Sequence, residues 1–282
     1  MKKNVFPWMI LIFNTAGFFV FFILPFIIST IYAFTDNPIN FKFIGFNNFI
    51  NIFKDKYFKL GLSNSMKFII IGIPLNIVIS LVFSLVVNKI KKYSYVLSLF
   101  FLIPLVIPSA TTSFFWSNIF SVNGFVNRMF NLRIDWLGSE YGLYILIGIF
   151  LWKNIGYNLV LFLAGLSMIP VSYYETARVY GASGKYIFFN ITLVYLTPVY
   201  IIVFIMSFIN SFRIFKEVYI LTGATPPPGL YLFQHYINNA FFNLNYQRIV
   251  GSSYIFLAFI ILLLIVVFMI DKRIVNKDRF TG

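Results

Sequence analysis

The sequence predicts an all-α polytopic membrane protein, with six membrane-crossing helices and a long loop between the fourth and fifth. Three observations predict it. Of 282 residues, 60% are hydrophobic and 11% are charged, whereas a soluble domain carries about 25% charged residues. Too few charges remain to clothe a water-facing surface. Six apolar stretches, 8–34, 66–88, 94–119, 142–168, 190–212 and 250–270, each approach or exceed the roughly 20 residues a helix needs to cross the hydrocarbon core. Finally, FFVFFILPFII and IFLAFIILLLIVVFMI lack the two-residue alternation of a membrane β-barrel strand. No internal repeat or linker divides the chain, so 1–282 reads as a single transmembrane domain.

The first stretch follows Met1-Lys2-Lys3 and superficially looks like a signal peptide. Its run from Trp8 to Phe34 is too long for that, and no A-x-A site follows, so it is expected to stay as the first span. Prolines punctuate several spans: Pro25, Pro74, Pro104, Pro108 and Pro198. Each lacks an N–H and tends to kink its helix; kinked spans suit a bundle that encloses a path. Basic residues divide almost evenly between the two sides. The turn NKIKKYS, 88–94, is short and purely basic, while the acidic residues Asp36, Asp55, Asp135, Glu140 and Glu217 fall in the alternate loops. Short loops near span ends weigh most. Both termini, the 89–93 turn and the 169–189 loop are therefore expected in the cytoplasm.

The net charge of +14 sits mostly at the ends of apolar runs, as membrane anchors do. Nucleic-acid binding is not expected, and the lipid bilayer is the partner implied. There is no cysteine, so thiolate chemistry and disulfides are excluded. His235 is the only histidine; it is expected in an outer loop, and no metal motif can form around it. GASGKY, 181–186, fails as a phosphate loop because Val179 and Tyr186 stand where Gly and Ser or Thr belong. All eight acids are expected in loops or at span ends, which disfavours an ion-coupled carrier with an intramembrane carboxylate.

Within the spans, Lys153 is the one charge expected well inside. It would cost roughly 2.5–3.5 kcal/mol at the bilayer centre, so it should face a wet interior or snorkel. Asn154, Tyr157 and Asn158 follow at helical spacing on one face. Ser207, Asn210 and Ser211 repeat that spacing in the fifth span, and Asn76, Ser80 and Ser84 form a third stripe. Such residues commonly hydrogen-bond neighbouring spans together. The two asparagine clusters equally suit a path for a neutral polyhydroxylated solute, with Tyr157 as a stacking surface.

The segment SMIPVSYYETARVYGASGKYIFFNITL holds the most specific signal. Pro170 ends the fourth span, YYETARVY suits a short helix, and Gly181 can end it. Ala177, Gly181 and Ala182 are small enough for another protein to approach closely. Glu175 and Arg178 lie three apart on one face. A plain connector would be shorter; an interfacial amphipathic helix is the alternative reading.

Glu175-Thr176-Ala177, three residues, then Gly181 resembles the E-A-A-x-x-x-G loop of membrane subunits in binding-protein-dependent ABC importers, in their sugar-permease branch of the maltose and glycerol-phosphate type. FFILPFIISTIYAFTD, FIGFNNFINIF, SNSMKFIIIGIPLNIVISLVFSLVVNK, FLIPLVIPSATTSFFWSNIF, LFLAGLSMIP, YLTP and the TGATPPPG loop also resemble blocks of those permeases, in order and over nearly the whole chain. The departures are Thr176 for the second Ala, Tyr180 where an Asp commonly precedes the glycine, and Leu193-Val194 for L-P.

The resemblance implies a non-catalytic permease subunit in the bacterial cytoplasmic membrane that moves a sugar, such as an oligosaccharide or related polyol or glycoside, by alternating access. It implies that the 169–189 loop is a coupling helix docking on a cytoplasmic ATPase through Glu175, Thr176, Ala177 and Gly181, with Arg178, Ala182 and Ser183 completing the surface. No cofactor would bind this chain; ATP and Mg would bind two partner ATPase subunits. A second homologous permease and an extracellular solute-binding protein would complete the complex. The solute path would pass Asn154, Tyr157, Ser207, Asn210 and Ser211, to which the helical-face argument adds Asn158, and Lys153 beside the cavity would favour a carboxylated sugar. A permease for a non-sugar solute such as a glycerol phosphate derivative, a stand-alone carrier or channel, and a non-transporting scaffold are the other readings.

Overall fold

The computed structural model describes residues 5–36 and 41–279, and within them the secondary structure is helical apart from an isolated antiparallel bridge between Thr35 and Phe43. The expected anchors Lys2 and Lys3, like the extreme termini, lie outside the described residues. In chain order the helices are α1 (Val5–Phe18), α2 (Leu24–Phe34), α3 (Asn47–Lys54), α4 (Lys56–Lys89), α5 (Ser94–Val106), α6 (Ser109–Phe120), α7 (Phe125–Phe130) and α8 (Gly142–Ser167). Then come α9 (Val171–Val179), α10 (Gly184–Ile187), α11 (Leu193–Tyr195), α12 (Thr197–Arg213), α13 (Phe215–Thr222), α14 (Phe233–Phe242) and α15 (Tyr246–Arg279). Among the described residues, five stretches are long and apolar enough to cross a membrane: Met9–Phe34, Lys56–Lys89, Gly142–Ser167, Thr197–Thr222 and Tyr246–Ile265. A sixth results if the bent pair Lys91–Val106 and Ser109–Phe130 is counted as one span.

That bend is far sharper than the kink that prolines alone suggest. The stretch 94–119, expected as one span, turns by 92°. The residue before a proline is pushed out of the helical region, and Ile107, before Pro108, is extended at φ −66°, ψ 127°. Proline position decides the outcome elsewhere too. Pro25 follows a widened π turn at Phe19–Ile23, where Leu24 N–H reaches Phe19 O. Pro74 and Pro104 sit inside helices that continue past them. Pro198 lies at the start of α12, where its missing N–H costs nothing. The fifth membrane segment consequently begins near Thr197 and runs on through Thr222, ten residues beyond the 190–212 stretch expected to cross.

The chain forms two compact units, residues 1–62 with 236–282 and residues 63–235. In the first, α15 packs on α2 and α3. Thr30 Oγ1 lies 2.6 Å from Tyr254 OH, and Asn48 Nδ2 donates to the carbonyls of Ala33 and Thr35. Asp55 receives Arg248 at 3.4 Å and Tyr236 OH at 3.3 Å.

In the second unit α8 is the central element. It packs against α5 and α12, and Leu146, Phe150, Leu159 and Phe162 on it are fully buried. Phe68 meets Phe150 edge to face at 5.2 Å. Gly156 lets the α5 backbone touch α8: a Cβ there would overlap the carbonyl of Phe101. The Asn76, Ser80, Ser84 stripe is wholly buried, with Ser80 Oγ donating to Asn76 Oδ1 at 3.3 Å.

His235 is a correction. Expected in an outer loop, it is fully buried at the start of α14. Its Nδ1 accepts from the Leu232 N–H at 3.1 Å, and the ring meets Phe215 edge-on at 4.8 Å. Burial among apolar groups disfavours the imidazolium and pushes its pKa down to about 4.

Candidate functional site: an exposed loop helix and a polar cavity

The loop helix α9 starts after Pro170, whose φ of −60° and ψ of 132° turn the chain out of α8. Its end is a Schellman closure. Gly181 N–H donates to Arg178 O at 2.9 Å, Ala182 N–H donates to Ala177 O at 2.9 Å, and Gly181 has φ +76°. Ser183 then caps α10, its hydroxyl accepting from Tyr186 N–H at 3.3 Å. One side of α9 is tied down by Tyr174, whose hydroxyl meets Thr192 Oγ1 at 3.2 Å.

No residue of α9 is buried. Glu175, Thr176, Arg178, Gly181 and Ser183 are exposed, and Ala177 and Ala182 are half-buried. Beside them Val179 and Tyr180 are 85% and 86% exposed, an unusual place for two apolar side chains. Glu175 and Arg178 share a face, yet among the described residues neither forms an ion pair. The seven loop residues singled out from sequence are thus gathered on one exposed helix and its cap.

The second region lies at two helix breaks of the same unit. Leu105 and Ser109 flank the α5–α6 bend; Arg213, Ile214, Lys216 and Glu217 flank the α12–α13 junction. With Lys153, Asn154 and Asn210 they line a cavity of about 150 Å³. Broken helices of this kind build polar sites at membrane depth because their freed backbone groups can line a cavity.

Glu217 corrects the sequence reading. It is not in a loop but on α13, within the Thr197–Thr222 stretch, and only 3% exposed. Lys153 Nζ donates to its Oε1 at 2.7 Å, and Ser109 Oγ donates to the same oxygen at 3.0 Å. Ser113 Oγ donates to the Glu217 backbone carbonyl. Lys153 is therefore not the lone intramembrane charge. The ammonium and the buried carboxylate offset part of one another's desolvation cost; Glu217 Oε2 has no hydrogen-bond partner among the described residues.

The other predicted path residues divide. Asn154 and Asn210 line the cavity with Lys153, although Asn154 Nδ2 is already donated to Phe150 O. Asn158 Nδ2 donates to Ser207 Oγ at 2.8 Å; both are buried and join α8 to α12. Ser211 Oγ bonds Phe208 O and borders a narrow cleft with Ser65 and Gln234. Tyr157 is half-buried and does not line the cavity. Sequence reasoning missed Ser109, Arg213, Lys216 and Glu217. The available signal was that VYILT extends the apolar run beyond Glu217, which places FRIFKE within the membrane segment. Among the described residues no cluster of His, Cys, Asp and Glu fit for a metal occurs.

Comparison with known proteins gives this geometry a family. Residues 69–280 match the model of the binding-protein-dependent transport system inner membrane component. The chain is 30% identical over 280 residues to the probable ABC transporter permease protein YesP of Bacillus subtilis (strain 168), covering 93% of this chain and 89% of that one. It is 30% identical over 217 residues to the trehalose/maltose transport system permease protein MalF of Thermococcus litoralis, covering 73% of each. A solved bacterial ABC transporter involved in the import of the acidic polysaccharide alginate has a chain of the same fold, with a TM-score of 0.79 at 21% identity over 97% of both chains. In this family the membrane subunit is non-catalytic, binds no cofactor and works with separate ATPases. The chain belongs to the binding-protein-dependent transport system inner membrane component family and is a multi-pass inner-membrane permease subunit of an ABC importer.

Proposed function

We propose that this permease moves a sugar, an oligosaccharide or related polyol or glycoside, by alternating access driven from α9. The observation that carries the reading is the exposed helix itself. Apart from Tyr173, Tyr174 and the half-buried Ala177 it stands clear of its own chain, presents small residues and two bare apolar side chains, and is held in shape by a glycine cap. Such a surface fits a groove on another protein. Glu175, Thr176, Ala177, Arg178, Gly181, Ala182 and Ser183 form the docking face for a cytoplasmic ATPase. Two such ATPases bind ATP and Mg, and a second homologous permease completes the pore. Closure of the ATPases draws the two loops together, and the spans move as rigid bodies. An extracellular solute-binding protein delivers the ligand. Both termini lie on the cytoplasmic side with the loop, and 1–282 acts as one transmembrane domain. The solute path runs past Lys153, Asn154 and Asn210, with Tyr157, Asn158, Ser207 and Ser211 on the helices that frame it. The sugar relatives among known permeases support the solute class.

The test is co-purification of the assembled transporter, with uptake and ATP hydrolysis measured for the wild type, Glu175→Lys and Gly181→Trp. Both variants are expected to insert normally and to lose either assembly or the coupling of hydrolysis to uptake. Unaltered assembly with coupled uptake in both would refute α9 as the docking element.

A further inference from the structure

We infer that the solute carries an anionic group, received in the 150 Å³ cavity by Arg213 and Lys216. The inference rests on the sugar-permease reading and narrows it to acidic saccharides. Four charged side chains line the cavity: Lys153, Arg213, Lys216 and Glu217. Lys153 pairs with Glu217 Oε1 at 2.7 Å, and Ser109 adds a donor to the same oxygen; Glu217 Oε2 is buried without a hydrogen-bond partner among the described residues, so one pair offsets one of the three cations. That leaves Arg213 and Lys216 as positive charge without a carboxylate. Among the described residues neither forms an ion pair, and both are exposed.

Cations at the end of a span commonly anchor it in the headgroup layer. These two instead line the same polar recess as Asn154 and Asn210, on either side of the break at Ile214. A neutral sugar would need only the amides. Two unmatched cations beside them supply what an acidic sugar demands. The planar Arg213 guanidinium grips a carboxylate or a phosphate through paired N–H groups, and Lys216 adds a compact point charge. The amides are left for the hydroxyls. The Lys153–Glu217 pair holds α8 to α13.

The experiment uses the complete transporter in proteoliposomes, with ATP inside and binding protein outside. Three probes are compared: digalacturonate, glucose 6-phosphate and neutral maltose. The wild type is expected to favour an acidic probe. Arg213→Gln combined with Lys216→Gln should lower the ratio of acidic to neutral uptake at least tenfold. Arg213→Lys with Lys216→Arg, which keeps the charge, should retain most of it. The first two probes separate a carboxylate from a phosphate, and a preference for either upholds the inference. Neutral-sugar uptake with an unchanged ratio in the Gln pair overturns it while leaving the sugar reading intact. Absence of ATP-dependent uptake of every saccharide, in a transporter that hydrolyses ATP, overturns the sugar reading and the inference together.

Discussion

The loop helix and the cavity belong to one compact unit and are made in opposite ways. α9 commits only Tyr173 and Tyr174 among its larger side chains to its own fold. Its shape comes from backbone geometry: a proline at entry and a glycine closure at exit. The cavity is held by long-range side-chain contacts, in which Lys153 meets a carboxylate 64 residues away and Asn158 meets a hydroxyl 49 residues away. An element kept free for a partner is cheap to alter in stability and costly to alter in coupling. An element that positions charge inside the membrane is costly to alter in stability itself.

The sharpest way to break this contrast is at Lys153. Lys153→Met leaves the Glu217 carboxylate buried with the Ser109 hydroxyl still donating to it. Stranding one member of a buried pair typically costs about 3–5 kcal/mol. The expected result is a marked fall in the unfolding midpoint of the detergent-solubilised subunit. Lys153→Met with Glu217→Leu removes both charges and should recover most of the loss. Equal midpoints for the single and double variants would mean that the stranded carboxylate is not what destabilises the single variant.

His235 tests the buried side without touching the cavity. Its folded-state pKa of about 4 lies below the usual 6.5. The unfolded chain therefore takes up a proton first as the pH falls. Stability is fully present above about pH 6.5 and is lost progressively as the pH drops toward 4. A displacement of this size is worth roughly 3 kcal/mol at the low end. Thermal unfolding across that range checks it, and His235→Asn should flatten the limb by an amount that isolates this side chain from the acids.

The same contrast explains what the sequence disclosed. The six apolar stretches and the loop were legible because hydropathy and short motifs are local. Ser183, Gly181 and Pro170 announce a cap, a closure and a helix start within a dozen residues. Lys153 and Asn210 were legible as polar groups in apolar surroundings, and the structure puts them at one cavity. Glu217 was not legible, because Arg213 and Lys216 just before it imitate the end of a span. Only the apolar VYILT after it hinted that Ile214 merely bends the helix and that α13 carries the carboxylate back into the unit. The bend at Pro108 was hidden for a related reason. Pro74, Pro104 and Pro108 look equivalent in sequence, but only Ile107 before Pro108 leaves the helical region. His235 was expected in a loop because it falls between two membrane-length stretches, while the aromatic rings that bury it come from elsewhere in the chain as well as from Tyr231.

The smallest expected effect on stability comes from the glycine that closes α9. At φ +76° an L side chain is strained by about 1 kcal/mol, yet a Cβ on Gly181 would meet no atom within 4 Å. Gly181→Ala therefore changes backbone preference and adds no clash inside the chain. It should leave the global unfolding midpoint nearly unchanged while loosening the last turn of α9, read as faster amide exchange of Gly181's neighbours Tyr180 and Ala182. Gly181→Asn, which tolerates this conformation better than Ala, should restore much of the protection. If coupling of ATP hydrolysis to uptake falls with Ala and returns with Asn, the shape of the closure is what the partner reads. If Ala and Asn lower coupling alike, the partner packs against the bare glycine surface, and the bulk added there is the cause.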